Sequence, residues 1–272
     1  MAEDFVLDDN CTHDCSTCGA DCSEEYKNTQ SATPRLSHTS SAKKIIMVAS
    51  HKGGVGKSFV ASLLATELKN KGYKVGILDA DVLGASISTM SGVDEEPSKN
   101  LDGLCAVESH FGIYVISTPM LLGNPSAPIT WGDAGQLNFA KQFYSDIIWG
   151  DLDYIIIDTP SSLTPITNFY FGIKQIDAVL VVTDPSELTN VIASKTLNLA
   201  KIENKKILGL IKNYCDRPSL NDLTKFIAKT YETEILDELS FDKDLYIMAN
   251  NGSIGNAHTN MFENTIKAIE EL

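Results

Sequence analysis

The chain has no long hydrophobic run. Its longest, such as "YIII" and "AVLVV", are strand-sized, far below the ~20 apolar residues needed to span a bilayer. The opening "MAEDFVLDDN" lacks the basic region and apolar core of a secretory signal. No dense cluster of Lys and Arg occurs. Twenty-two basic residues face 36 acidic ones, a formal net charge of -14. That balance repels phosphate backbones. These absences predict a cytoplasmic protein with no nucleic acid and no membrane among its partners. Thiols stay reduced in that compartment, so close-set cysteines favour metal over disulfide.

What is present falls into three segments. Residues 1–22 are acidic and hold four of the six cysteines. Residues 23–42, "SEEYKNTQSATPRLSHTSSA", are polar, rich in Ser and Thr, and without apolar period. They read as a flexible linker with a root-mean-square span of roughly 25 Å. From residue 43 onward, short apolar runs alternate with helical stretches: "KIIMVAS", "KVGILDA", "GIYVIST", "YIIID", "AVLVVTD" and "KILGLIK". Such runs suit parallel strands buried on both faces. Between the first two, Val60, Leu63, Leu64 and Leu68 recur at helical spacing and Gly72 supplies a stop. The pattern predicts an α/β domain over 43–272, a doubly wound, mostly parallel sheet that binds its ligand beyond the carboxyl ends of the strands.

The first run leads directly into "SHKGGVGKS", Ser50 to Ser58, and a helix follows. This is the setting of a phosphate-binding loop. Gly53, Gly54, Val55 and Gly56 would present backbone N–H groups to phosphate oxygens. Lys57 would reach the β- and γ-phosphates of ATP, and Ser58 would ligate Mg2+. The competing reading is a glycine-rich turn with chance lysines. In "LDYIIIDTPSS" a buried strand delivers Asp158, which fits an acid holding Mg2+ through water, with Thr159 and Pro160 beginning a γ-phosphate switch.

The usual loop has Gly where this chain has His51, and it lacks the second lysine, Lys52. "KGGVGKS" resembles the deviant loop of the ParA, MinD, nitrogenase iron protein and Mrp/ApbC ATPases. The resemblance implies a homodimer sandwiching ATP, with Lys52 reaching the partner's nucleotide. In "ILDADVLGAS" it implies that Asp81 positions the attacking water and that Asp79 supports the Mg2+ shell. It gives Asn213 a contact to adenine, though a turn-forming Asn fits as well. Lys52, Lys57 and Asp81 are thus the expected catalytic groups.

Within that superfamily, "DADVLGASI" and "ITWGDAGQLNFAKQFYSDIIWGDLDYIIIDTP" are similar to the Mrp/ApbC-type iron–sulfur carrier ATPases. Three features depart from that pattern. "NYCDRPS" offers Cys215 where the family has C-x-x-C, "WGDAG" lacks its Arg, and "TPSSLTP" replaces "PPGTGD". The resemblance implies an ATP hydrolase that carries a [4Fe-4S] cluster to apo iron–sulfur proteins. The alternatives are a ParA/MinD-like positioning ATPase, or a reductase or metal-insertion ATPase serving another metalloenzyme. The closing stretch "NAHTNMFENTIKAIEEL" puts Phe262, Ile266 and Ile269 on one side but is acidic. It reads as a helix closing the domain, not as a membrane anchor.

Cys11, Cys15, Cys18 and Cys22 are spaced C-x3-C-x2-C-x3-C. Four thiolates on so short a segment can hold one [4Fe-4S] cluster or one Zn2+. Two C-x2-C knuckles, the usual zinc arrangement, are not present, and iron–sulfur is the favoured occupant. The spacing of the first three also matches radical SAM enzymes, but a phosphate-loop fold is not their barrel. The six acidic residues of 1–22, with no Lys or Arg before Lys27, would favour the oxidised cluster. His13 reads as solvated. Cys105 and Cys215 read as buried apolar residues, with a dimer-bridging second cluster as the alternative.

Overall fold

The computed structural model describes residues 34–122 and 129–272. The tail cysteines Cys11, Cys15, Cys18 and Cys22 lie outside the described residues. Each of the six apolar runs forms a strand of one eight-stranded sheet. These are β1 (Ser41–Ala49), β2 (Val75–Asp79), β6 (Ile113–Ile116), β8 (Asp151–Asp158), β9 (Ala178–Thr183) and β10 (Lys206–Asn213). The short β5 (Val107–Glu108) and β11 (Ile235–Leu239) complete its edges, in the order β11-β10-β9-β1-β8-β2-β6-β5. All pairings are parallel except that of β5 with β6. β3 (Lys99–Asn100), β4 (Gly103–Cys105) and β7 (Ile147–Ile148) form a separate small sheet.

The chain winds outward from β1 to β2 and β6, returns to β8 beside β1, then winds the other way through β9, β10 and β11. This reversal is the doubly wound signature, and it opens the ligand crevice at the carboxyl ends of the central strands. Strand residues alternate between two cores. Ile46, Val48, Ile156 and Leu180 pack on one face with the helix Lys57–Asn70 (α1) and the C-terminal helices. Ile45, Met47, Ile155, Ile157 and Val181 pack on the other face with the middle third of the chain. The remaining helices are α2 (Ile87–Ser91), α3 (Asp133–Ser145), α4 (Pro165–Gly172), α5 (Glu187–Ile202), α6 (Thr224–Thr230), α7 (Lys243–Asn250) and α8 (Glu263–Glu270).

In α1, Val60, Leu63, Leu64 and Leu68 are fully buried, each stabilising the fold by about 1.5–3 kcal/mol. Gly72 ends the helix region at φ +96, a backbone state a β-carbon resists. Phe262, Ile266 and Ile269 are buried at or near α8, so this helix closes the domain as its pattern predicts. Its approach is fixed by Glu67 of α1. The Glu67 carboxylate accepts from Thr259 Oγ1 and from the backbone N–H groups of Met261 and Phe262.

The folded unit runs from Arg35 to Leu272. Residues 35–42 read as linker from composition, yet they belong to it. Leu36 packs against the core, and its N–H donates to Gln175 Oε1 at 2.9 Å. Ser40 Oγ accepts from the Trp149 N–H at 2.8 Å. Cys105 and Cys215 are half-buried rather than buried, a correction to the reading of both as core residues. Cys215 Sγ lies 3.2 Å from Ser240 Oγ. Cys105 ends the short β4, and Cys215 lies two residues beyond β10.

Candidate functional site

Parallel register sets the site. Asp158 pairs with Val48 of β1 on one side and with Asp79 of β2 on the other. The phosphate loop, the Asp158 strand end and the Asp79 strand end are therefore neighbours. On the opposite flank β9 ends beside Asp184 and β10 ends at Asn213.

Ser50 to Ser58 joins β1 to α1. Gly54 and Gly56 sit at φ +83 and +81, the left-handed region that favours glycine. Gly56 is the N-cap of α1 and no side chain caps that end. The first N–H groups of a 14-residue helix therefore remain available to an anion. A β-carbon on Gly56 would collide with Asn213 Nδ2, which donates to the Val55 carbonyl at 2.8 Å. Asn213 therefore braces the loop from β10. Its carboxamide oxygen accepts from the Tyr214 N–H at 2.9 Å.

Lys57 and Asp158 form a buried pair. Nζ lies 2.5 Å from Asp158 Oδ1, with the side chains 5% and 0% exposed. Lys57 Nζ also donates to Ser58 Oγ at 3.4 Å. Burial pushes the Asp158 carboxyl above its ordinary value, and the Lys57 ammonium opposes that rise. Asp158 Oδ2 is buried with no partner. An unpartnered carboxylate oxygen beside the Ser58 hydroxyl fits a hydrated Mg2+, whose charge would offset the desolvation of this oxygen.

Asp79 differs. Its Oδ2 accepts from the N–H groups of Ser86 and Ile87 at 2.9 and 3.0 Å and from Ser117 Oγ at 2.8 Å. Its Oδ1 accepts from the Asp81 N–H at 3.3 Å. Burial, then the neighbouring Asp158 charge, raise it to about 7. Asp79 thus organises the loop 80–87. Asp81 is half-buried at the front of that loop, and its Oδ1 accepts from the Gly84 N–H at 2.9 Å.

Lys52 points away from its own loop. Its Nζ donates to Thr189 Oγ1 at 2.6 Å and lies 3.4 Å from Asp184 Oδ2. Asp184 is 3% exposed. Burial pushes its carboxyl up, but hydrogen bonds from Ser186 and Thr189 and the Lys52 charge outweigh this and hold it below the usual range. His51 is half-buried beside the loop. Its Nδ1 hydrogen-bonds Thr196 Oγ1 of α5, and its ring stacks on Phe171 of α4 at 6.2 Å. Burial, then Lys195, bring it down to about 4, so the ring is neutral at pH 7.

Every expected nucleotide-site residue, from Lys52 to Asn213, lies at this one edge of the sheet. Sequence reasoning missed Asp184, Thr189 and Ser117. Asp184 carried one signal, a polar residue ending an apolar run, as Asp158 does.

A strand, a glycine loop at positive φ, an uncapped helix and a buried Lys–Asp pair define a P-loop nucleotide-binding protein. The chain belongs to the NUBPL iron-transfer P-loop NTPases of the ParA group, whose family model matches residues 41–271. It is 36% identical over 211 residues to the iron-sulfur cluster carrier protein of Methanococcus maripaludis, covering 75% of this chain and 73% of that one. It is 36% identical over 182 residues to the cytosolic Fe-S cluster assembly factor CFD1 of Saccharomyces cerevisiae, covering 63% and 61%. Among solved structures it is similar to the nucleotide-binding protein of Archaeoglobus fulgidus in complex with ADP. The TM-score is 0.70 at 29% identity, covering 82% and 91%. The match to an iron-transfer family sets aside the positioning-ATPase alternative. No helix among the described residues is long and apolar enough to cross a membrane.

Proposed function

We propose that this chain is an ATP-dependent iron–sulfur cluster carrier, hydrolysing ATP as a homodimer and passing a [4Fe-4S] cluster to apo-proteins in the cytoplasm. The observation that carries the reading is the buried Lys57–Asp158 pair beside an uncapped helix N-terminus, in a chain of an iron-transfer family. The N–H groups of Gly53 to Ser58 bind the phosphates, and Lys57 turns from Asp158 toward them. Ser58 and the free oxygen of Asp158 would hold Mg2+, which would supply charge neutralisation. Asp81 would orient the attacking water, as the resemblance implies. Lys52 leaves Thr189 and Asp184 to reach the partner's nucleotide, adding a cation where transition-state charge develops.

The cargo is a cluster held by Cys11, Cys15, Cys18 and Cys22, with Zn2+ as the competing occupant. The names of the archaeal carrier and the yeast assembly factor support this cargo, as does the four-thiol spacing. The test is anaerobic reconstitution followed by ultraviolet–visible and Mössbauer spectra, on the whole chain and on one beginning at Arg35. A [4Fe-4S] signature in the whole chain alone supports the reading. An equal signature in both moves the cluster to the folded unit, and tight zinc after iron loading overturns the cluster.

A further inference from the structure

Tyr214, the first residue after β10, has φ +52. A non-glycine residue holds that conformation only where its surroundings fix it. Here they do so against the phosphate loop. Its N–H donates to Asn213 Oδ1 at 2.9 Å, and Asn213 is itself bonded to Val55. The phenol end of the ring abuts Gly56: Oη and Cζ lie 3.2 and 3.5 Å from the point a β-carbon there would occupy. A flat aromatic ring is thus clamped beside the loop, on the flank away from Asp158 and Asp79.

The face of that ring carries another flat group. The Arg217 guanidinium carbon stands 3.7 Å from the ring centroid. The hold on Arg217 is loose. Its side chain is 53% exposed, and its contact with Asp184 Oδ2 is 3.9 Å long. Stacking on an aromatic ring is the geometry that purine bases share with guanidinium planes.

We propose that Tyr214 is the platform on which the base of the bound nucleotide stacks, and that Arg217 covers this platform until the base takes its place. The proposal rests on the nucleotide reading of the loop and adds a residue that selects the base. Two-ring purines overlap the phenol more than one-ring pyrimidines, so the site prefers purine nucleoside triphosphates. Phosphate affinity comes from a different set of groups, the loop N–H groups and Lys57, and is independent of the platform.

The experiment is calorimetric binding of ATP, CTP and inorganic tripolyphosphate, with Mg2+ at fixed salt, to the full-length chain. Tyr214→Leu should weaken ATP about tenfold while leaving tripolyphosphate within about twofold. Tyr214→Phe, which keeps the ring, should retain the ATP-over-CTP preference. Arg217→Gln should tighten ATP and leave tripolyphosphate unchanged. If Tyr214→Leu weakens ATP and tripolyphosphate by the same factor, the ring only props the loop and the proposal falls. If Tyr214→Leu does not fold, the ATP-to-tripolyphosphate ratio of Arg217→Gln decides, and an unchanged ratio overturns the platform. A wild-type chain that binds tripolyphosphate but shows no base preference overturns the platform alone. One that binds neither ligand overturns the nucleotide reading itself.

Discussion

Lys52 and Thr189 are joined across the mouth of the site: Nζ donates to the threonine hydroxyl at 2.6 Å, with Asp184 Oδ2 3.4 Å from the same ammonium. Lys57, five residues on, is bound instead to Asp158. The two lysines of one loop therefore serve opposite flanks, and their loss should read differently. Lys57→Ala should abolish ATP binding. Lys52→Ala should leave binding within a few-fold and remove hydrolysis. Mixing Lys52→Ala with Asp81→Asn chains should restore some activity, because one composite site regains both groups. No recovery in verified heterodimers would count against a lysine acting across the interface.

His51 supplies a pH test. Its folded value is about 4, set by burial and then Lys195, against an unfolded value near ~6.5. Between those values the unfolded chain binds more protons, so stability rises with pH there. The contribution is complete above about pH 6.5 and is lost as pH falls toward 4. Asp79, raised to about 7, holds more proton folded than unfolded across the same window and contributes a slope of opposite sign. The His51 part is therefore read as a difference. Urea melts of wild type minus His51→Phe should give a stability difference that rises with pH between about 4 and 6.5, by less than one proton. The same pH dependence in both chains would mean that His51 contributes none of it.

The sheet was legible because each central strand is a continuous apolar run ending in a polar residue. Asp158, Asp79 and Asn213 could be read as site residues because aligned parallel strands bring such ends together. The edges were not legible. In β11, "ILDEL" interleaves two acids with its apolar residues, since an edge strand is covered less completely than a central one. The start at Arg35 was hidden because Leu36 is a single apolar residue in a polar stretch, and its partner Gln175 is distant in sequence. Tyr214 and Arg217 meet only through a left-handed turn, which no composition signal announces.

The buried pair predicts a non-additive stability effect. Lys57→Met leaves Asp158 buried without its cation, and breaking one side of such a pair costs about 3–5 kcal/mol. Adding Asp158→Asn removes the orphaned charge, so the double variant should be more stable than Lys57→Met alone. Denaturant melts of the nucleotide-free chains close the cycle. Simple additivity would show that solvent reaches Asp158 and that the pair is not desolvated.

The cysteine spacing predicts where iron resides. Cys15→Ala with Cys18→Ala should remove nearly all iron bound after anaerobic loading. Cys105→Ser and Cys215→Ser should leave it near the wild-type level, because each is a single half-buried thiol in the described structure. Iron retained in the first variant and lost in the second would transfer the cluster to the folded unit.

Nucleotide state should also govern release of the cluster. The resemblance implies a C-x-x-C where this chain has Cys215 alone, and the four-cysteine run stands far earlier in the sequence, so on the proposed reading nucleotide does not act on the cluster through Cys215. Coupling then requires a surface whose shape depends on nucleotide and which binds the cysteine segment in one state better than in the other. Loop 80–87 is a suitable sensor. Asp79 holds it through Ser86, Ile87 and the Asp81 N–H, and Asp79 pairs in register with Asp158. A ligand that changes the charge around Asp158 therefore changes the group that organises this loop. Transfer to an apo-acceptor should differ in rate with and without a non-hydrolysable ATP analogue, and Asp158→Asn should erase the difference. Equal rates across a full range of acceptor concentration would show that the cysteine segment and the nucleotide site work independently.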